Sequence, residues 1–423
     1  MKNKWLLLAF LCGVFFVYTV DRALLGLLAI PIQNETGITD LQFGFLNSAV
    51  FWTYALAVPF AGLAGDRFDK RKIIGIALVL WSLMTFLAGF ATGFWSLFVV
   101  VSFAITLPQT LYGPAANALI ASRHVQTRTV ALSFHQSAFY IGWFASGSAV
   151  ALALSYFHSW RSAYIIFGAL GLLMGVAFLL FGCKNLTSGA SAPAASNAPE
   201  KASVSESIRA FFCCPSALLA AAGYVAVVFV SFGYSAWGPK FIAQKFALSP
   251  AAAGAGVMFW HFAAALVAIV AAGFVTDRAV RRWPRFRLAL QAAALFAASP
   301  MLVLFGMSSS LVFVWCAAAA YGFLRGLFEA NAFTSIFDVV SARHRAGAVG
   351  FLNVIAGLTG SLAPILLGWL SQTRGQRGFE LGFAAMGIVF VLAAAMLCVS
   401  AIFTFCKDKI KECCYDRHVG IQG

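Results

Sequence analysis

Twelve long apolar runs leave this chain one environment. They are Trp5–Ile30, Phe43–Ala64, Ile73–Ala91, Trp95–Ala121, Val130–Tyr156, Ala163–Gly182, Ser216–Phe241, Ala251–Thr276, Leu288–Met307, Leu311–Phe337, Gly347–Leu370 and Phe379–Phe405. A helix needs roughly 20 apolar residues to cross the hydrocarbon core, and each run is about that long. The runs are apolar on every face, whereas barrel strands are shorter and alternate. Of the 423 residues, 61% are hydrophobic and only 10% are charged, against roughly 25% charged in a soluble domain. No soluble interior hides that much apolar surface. The same figures exclude disorder, a collagen-like fibre and a disulfide-stapled secreted domain. The first run is too long for a cleavable signal peptide and itself spans. Nine cysteines show no metal-binding spacing. The adjacent pairs Cys213-Cys214 and Cys413-Cys414 read as reduced thiols beside the membrane.

The net charge of +15 is an orientation signal rather than a nucleic-acid footprint. With the N-terminus placed inside, 22 of the 29 Lys and Arg fall in cytoplasmic segments. Five fall outside: Arg161, Lys240, Lys245, Arg374 and Arg377. The positive-inside bias therefore places both termini in the cytoplasm. The expectation is a multi-pass protein of a bacterial cytoplasmic (inner) membrane, monomeric, with the lipid bilayer as a partner and nucleic acid as none. The longest connection lies between runs six and seven. Its centre, Thr187 to Ser207, is rich in Ala, Ser, Pro and Asn without apolar periodicity, as a flexible linker is. The predicted organisation is a six-helix bundle over 1–182, a cytoplasmic linker over 183–215, a second bundle over 216–405 and a tail over 406–423.

The halves echo each other. GLAGDRFDKRK runs from Gly62 to Lys72 after run two, and GFVTDRAVRR from Gly273 to Arg282 after run eight. RTVALSF at Arg128 and RAGAVGF at Arg345 form a second echo. A constant offset of 217 pairs Arg128 with Arg345, Phe134 with Phe351 and Gln136 with Asn353. Duplicated six-helix halves with a ligand site between them are the architecture of rocking secondary transporters. In the loop motif, Gly62 and Gly65 allow a close helix approach. Asp66 is suited to accept from a facing helix N-terminus. Arg67, Lys70, Arg71 and Lys72 stay at the anionic leaflet. With the second copy at Asp277 and Arg278, the predicted gating residues are Gly62, Gly65, Asp66, Arg67, Arg71, Asp277 and Arg278.

GLAGDRFDKRK resembles the inter-helix signature of the major facilitator superfamily, and the resemblance extends over essentially the whole chain. It implies an all-α membrane protein of twelve transmembrane helices in two pseudo-symmetric six-helix halves. YTVDRALL (Tyr18 to Leu25), ITDLQFGFLNSAVFWTYAL (Ile38 to Leu56) and WSLMT (Trp81 to Thr85) are similar to the anion:cation symporter family. That family carries sugar acids and other organic anions, usually with protons or sodium. Spinster-like lysolipid transporters share a similar Asp-Arg and WS pattern and are the runner-up resemblance.

Four charges stand inside the runs and away from their ends: Asp21, Arg22, Arg325 and Glu329. Each costs about 2.5–3.5 kcal/mol or more in the hydrocarbon zone and marks a candidate functional site. A guanidinium at Arg22 can clamp a carboxylate bidentately. The symporter resemblance implies that role for Arg22; a local pair with Asp21 or an outward snorkel is the alternative. Arg325 and Glu329 are four apart, on one helix face. They either neutralise each other or form a switchable pair in which Glu329 takes up the coupling proton. Asp21 competes for that role. Many symporters of the family carry an arginine and an acid on the fourth helix. Here Gln109 stands near that place, no arginine precedes it, and coupling through this helix is in doubt. The offset sets Arg325 and Glu329 against Pro108 and Tyr112, so the charged pair lies in the other half.

Asn117, Gln136 and Asn353 are further candidate cavity residues, with His135, His261 and Asn331 beside them, against the alternative of helix-to-helix hydrogen bonds. Asp338 is expected to pair with Arg343 or Arg345. HExxH, GxSxG and Walker motifs are absent from the sequence, so no enzyme is expected, and no cofactor beyond a coupling proton or sodium. The predicted protein is a secondary transporter of a small organic anion. Arg22, Arg325, Asn117, Gln136 and Asn353 face the substrate, and Glu329 and Asp21 are the coupling carboxylates. The alternatives are a spinster-like lysolipid transporter and a non-transporting receptor of the same fold.

Overall fold

The computed structural model describes residues 4–182, 204–341 and 343–409, with the backbone alone over 62–67. Among these residues the chain is helical, without strands. Twelve helices are long and apolar enough to cross a membrane, and we number them in chain order as spans 1 to 12. They are Lys4–Leu27, Asp40–Ala61, Lys70–Ala88, Phe94–Arg123, Val130–Phe157, Trp160–Leu180, Pro215–Lys245, Pro250–Val280, Phe286–Met307, Leu311–Phe337, Gly347–Arg374 and Gln376–Lys409. These follow the predicted runs, with ends differing by a few residues. The differences have local causes. Asp69 caps span 3 by accepting the Arg71 N–H at 2.8 Å, which starts that helix at Lys70. Ser159 caps span 6 in the same way through the Arg161 N–H. A short helix, Ala29–Thr36, follows span 1 and stops at Gly37, whose φ of 69° is left-handed, as a helix C-cap favours. Another, Val204–Phe212, occupies part of the expected linker and buries Phe211. Residues 183–203, the rest of the linker's centre, lie outside the described residues, as do Cys413 and Cys414.

Proline and polar residues widen or break three of the spans. In span 4 the backbone widens to π-helix over Phe98–Ile105, just ahead of Pro108, which has no N–H to return to the preceding turn. The Thr106 hydroxyl donates to the Val101 carbonyl at 2.9 Å and steadies the wide turn. Span 11 divides into Arg345–Gly360 and Leu362–Arg374. Pro364 cannot donate to the Gly360 carbonyl, and the break falls there. Span 10 divides after Glu329, where the Asn331 amide turns back to the Leu327 carbonyl at 3.2 Å and to Thr276 at 3.3 Å.

The chain forms two compact units. The first is Met1–Ala194 with Phe232–Phe262 and Ser361–Phe379; the second is Ala195–Ser231 with Ala263–Gly360 and Glu380–Gly423. Unit 1 thus holds spans 1 to 6 together with one end each of spans 7, 8 and 11. Inside it the helices meet backbone to backbone. A Cβ on Gly26 would stand 2.5 Å from the Ser235 carbonyl, one on Gly44 2.6 Å from that of Pro364, and one on Gly147 2.5 Å from that of Gly254. Trp237 donates its indole N–H to the Pro364 carbonyl at 2.8 Å, and Ser48 donates to that of Ser361.

Candidate functional site

The Asp21-Arg22 dipeptide sends its two charges into different surroundings, since neighbouring residues on a helix diverge by about 100°. Arg22 lies on the face of Tyr18, one turn back, and donates to its hydroxyl at 3.0 Å. Its guanidinium carbon stands 4.5 Å from the Tyr54 ring centre, 5.6 Å from that of Tyr18 and 5.8 Å from that of Phe51. Phe51 in turn stacks on Phe232. Among the described residues no carboxylate pairs with Arg22. The expected alternative of an Asp21 ion pair is not formed. The half-buried cation rests in an aromatic cage with most of its donors unspent, a geometry in which an incoming anion meets little competition.

Asp21 is buried against span 3, beside Trp81 and Thr85. Neither carboxyl oxygen has a hydrogen-bond partner among the described residues. The Trp81 indole N–H and the Tyr164 hydroxyl are equally without one. An unpaired carboxylate in such a place is costly.

The remaining predicted residues fall into separate groups. Asn117 and Gln136 come together in unit 1, lining a cleft of about 540 Å³ with Arg128 and Ser133. His135 does not join them. The Tyr112 hydroxyl donates to the Leu11 carbonyl at 2.7 Å and lies 2.9 Å from His135 Nε2. That hydroxyl has a single hydrogen, so His135 Nε2 carries the donating proton. With Phe15 stacked on its ring, His135 fastens helices together.

In unit 2, Arg325 donates Nε and NH2 to one oxygen of Glu329 at 3.0 and 2.6 Å, with side chains 10% and 19% exposed. Glu329 ends its helical segment, where the backbone's partial negative charge suits Arg325 and opposes Glu329. Tyr224 lies within electrostatic reach of both charges and donates its hydroxyl to Asn353 Oδ1 at 3.0 Å. Glu329, Arg325, Tyr224 and Asn353 are therefore one polar cluster.

The gating residues divide likewise. The side chains of Gly62, Gly65, Asp66 and Arg67 lie outside the described residues; the backbone there is the end of a helix running to Arg67. Arg71 supplies the N–H that Asp69 caps. Asp277 is largely exposed and meets Arg287 at 3.4 Å. Arg278 has no ion-pair partner among the described residues. Asp338 pairs with Arg287, at 2.8 and 2.9 Å, and not with Arg343 or Arg345 as expected. Arg345 instead donates to the Phe337 and Val340 carbonyls, closing off the end of span 10, and Arg343 reaches Glu206 at 3.8 Å. The helical stub created by the break at Glu329 leaves those carbonyls for Arg345 to satisfy.

Sequence reasoning missed a polar latch within unit 1. Lys240 Nζ donates to Gln33 Oε1 at 2.7 Å and forms an ion pair with Asp40. Asp40 also accepts from Gln33 Nε2 at 2.8 Å and from the Ser371 hydroxyl. The Leu41 N–H reaches Gln372 Oε1 at 3.0 Å. Spans 2, 7 and 11 are tied together at these ends. Lys240 is only 7% exposed; in sequence it is one of five outer cations, at the very end of an apolar run, and nothing there marks it as buried. A neighbouring clamp joins Glu35 to Arg161, at 2.7 and 3.0 Å, and to the Trp160 indole. The Arg161 guanidinium holds the Glu35 carboxyl below the usual carboxylate range.

The model of the Major Facilitator Superfamily matches residues 10–340 and 260–408. A D-galactonate transporter of Escherichia coli O6:H1 is 24% identical, over 94% of this chain and 96% of that protein. The hexuronate transporter of Bacillus subtilis is 22% identical over 93% of each. Among solved structures, a bacterial homologue of the human lysosomal transporter spinster, inward-facing and unoccupied, superposes with a TM-score of 0.84 at 21% identity over 96% of this chain and 99% of that one. At that identity the likeness is one of fold. The twelve spans, the paired loop motifs and the family match along nearly the whole length agree: this chain is a membrane transporter of the major facilitator superfamily.

Proposed function

We propose that the protein carries a small organic anion, a sugar acid or similar carboxylate, by alternating access, in symport with protons or sodium. The carrying observation is Arg22, a cation in an aromatic cage without a carboxylate partner among the described residues. A substrate carboxylate supplies the counter-charge, and the Tyr18 and Tyr54 rings offer faces to a sugar. The D-galactonate and hexuronate transporters among the relatives support this substrate class. Asn117 and Gln136, in one cleft, and Asn353, which accepts from the Tyr224 hydroxyl, are the further substrate contacts. Asp21 is the first choice for proton coupling and Glu329 the second, because Glu329 already has Arg325 as its partner. A proton on Asp21 removes the cost of its unpaired charge. The distribution of Lys and Arg supports cytoplasmic termini in a bacterial inner membrane.

The test is uptake by liposomes containing the purified protein, with a panel of sugar acids and small carboxylates first ranked by thermal shift. Imposed proton and sodium gradients identify the coupling ion. Arg22→Ala is expected to abolish uptake while leaving insertion intact; unchanged uptake would remove Arg22 from the site. The fold likeness to the bacterial spinster homologue favours a second reading, a lysolipid transporter. Uptake of lysophospholipid in preference to any sugar acid would select it.

A further inference from the structure

Unit 2 carries a groove lined by none of the residues proposed above for substrate or coupling. Spans 9 and 12 touch through small residues at one end: a Cβ on Gly306 would lie 3.1 Å from the Glu380 carbonyl, and one on Gly387 3.0 Å from that of Ser299. Toward the opposite end both helices line one space. The space between them, about 590 Å³, is floored by alanines, among them Ala289, Ala293 and Ala395, with Cys398. Its flanks are lipid-facing side chains: Phe296 is 65% exposed and Ile402 58% exposed. At the mouth stand Trp283 and Arg285.

The mouth is cationic and uncompensated. Among the described residues the Arg285 guanidinium meets the Cys406 sulfur alone, at 3.0 and 3.2 Å. Arg281 and Arg282, just before it in sequence, and Lys407, next to Cys406, are exposed and have no ion pair among the described residues. The nearby carboxylates are engaged: Asp277 and Asp338 on Arg287, and Asp408 on the Ser216 N–H. An amphiphile with a negative head beside an apolar chain satisfies both ends of this arrangement. Basic pockets between membrane helices hold anionic lipid headgroups by the same physics, and tryptophan suits the interfacial depth. A second copy of the chain is disfavoured, because a two-fold contact there would bring the same four cations together.

We propose that the groove between spans 9 and 12 is a binding site for one anionic phospholipid, its phosphate on Arg285 and an acyl chain along the alanine floor. The site is independent of what is transported. The test uses the full-length protein in detergent, with phosphatidylglycerol and phosphatidylcholine of identical chains as probes. Native mass spectrometry counts retained lipid and thermal unfolding reads stabilisation. The wild type should retain one phosphatidylglycerol and bind it about five- to tenfold more tightly than phosphatidylcholine. Arg285→Gln should bring the two lipids to parity. Ala395→Trp, or Ala293→Leu should the first not fold, should fill the groove and expel either lipid. Equal binding of both lipids by the wild type, or a preference unchanged in Arg285→Gln, would overturn the proposal. So would a dimer that Ala395→Trp dissociates, which would assign the groove to a second copy.

Discussion

Arg22 on span 1 and Arg325 on span 10 have opposite fates. Arg325 is consumed: two of its donors fall on one oxygen of Glu329, and the pair is largely buried. Arg22 has a phenol and three aromatic faces but no counter-ion among the described residues. A buried cation that the fold has already neutralised has little left to offer a ligand. One held in place by neutral groups keeps its charge for whatever enters. The difference separates a structural cation from a candidate receptor for an anion, although sequence alone assigns both the same cost.

The contrast can be broken from either side. Arg325→Ala leaves Glu329 unpaired, and chemical or thermal unfolding should show a loss of about 3–5 kcal/mol. Arg325→Ala with Glu329→Ala should recover most of it; no recovery would mean that the pair is not self-contained. Arg22→Ala should leave unfolding nearly unchanged yet lower uptake about a hundredfold, as losing charge-assisted hydrogen bonds to a substrate carboxylate does. Arg22→Lys, which keeps the charge without the planar fork, should recover only part.

Asp21→Asn should abolish accumulation against a gradient while preserving exchange across the membrane, whereas Glu329→Gln should keep accumulation within a few-fold. The reverse outcome would move coupling to unit 2. Lys240→Gln should loosen the latch at Asp40 and raise thiol labelling of a Tyr54→Cys background several-fold; an unchanged rate would reduce the latch to packing. The smallest effect concerns Glu35. Its carboxyl is held low by Arg161, so its contribution is present above the ordinary carboxylate value of about 4.3 and fades as the pH falls through the lower folded one. Because the pair is partly exposed, wild type and Glu35→Gln should differ by less than about 1 kcal/mol at neutral pH and converge in acid.

Much of the architecture was legible because a bilayer simplifies the problem. Length and uniform hydrophobicity alone locate twelve spans, and the structure moves their ends by a few residues, at two starts through the caps Asp69 and Ser159. The site was legible as a set of misplaced charges, not as an arrangement. Sequence puts Asp21 and Arg22 side by side; rotation along the helix sends one to Trp81 and the other to Tyr54. Asp338 was matched to the nearest basic residues in the chain, yet Arg287, fifty-one residues earlier, takes it. The Asp40–Lys240–Ser371 latch joins three distant segments, and no local pattern announces it. His135 illustrates the opposite case, a polar residue in a span whose hydrogen bond to Tyr112 serves helix packing.

The glycine contacts of unit 1 have a consequence of their own. Where Gly26, Gly44 and Gly147 face the carbonyls of Ser235, Pro364 and Gly254, the seam between helices is drawn shut by atoms the sequence omits. Main chains laid against each other this way interlock no side chains and can part without any rotamer having to change. A single methyl group is then a wedge. An alanine at Gly147 puts a methyl group where a hydrogen was and props the seam open, making the narrowest residue in the chain also the simplest place to jam the machine.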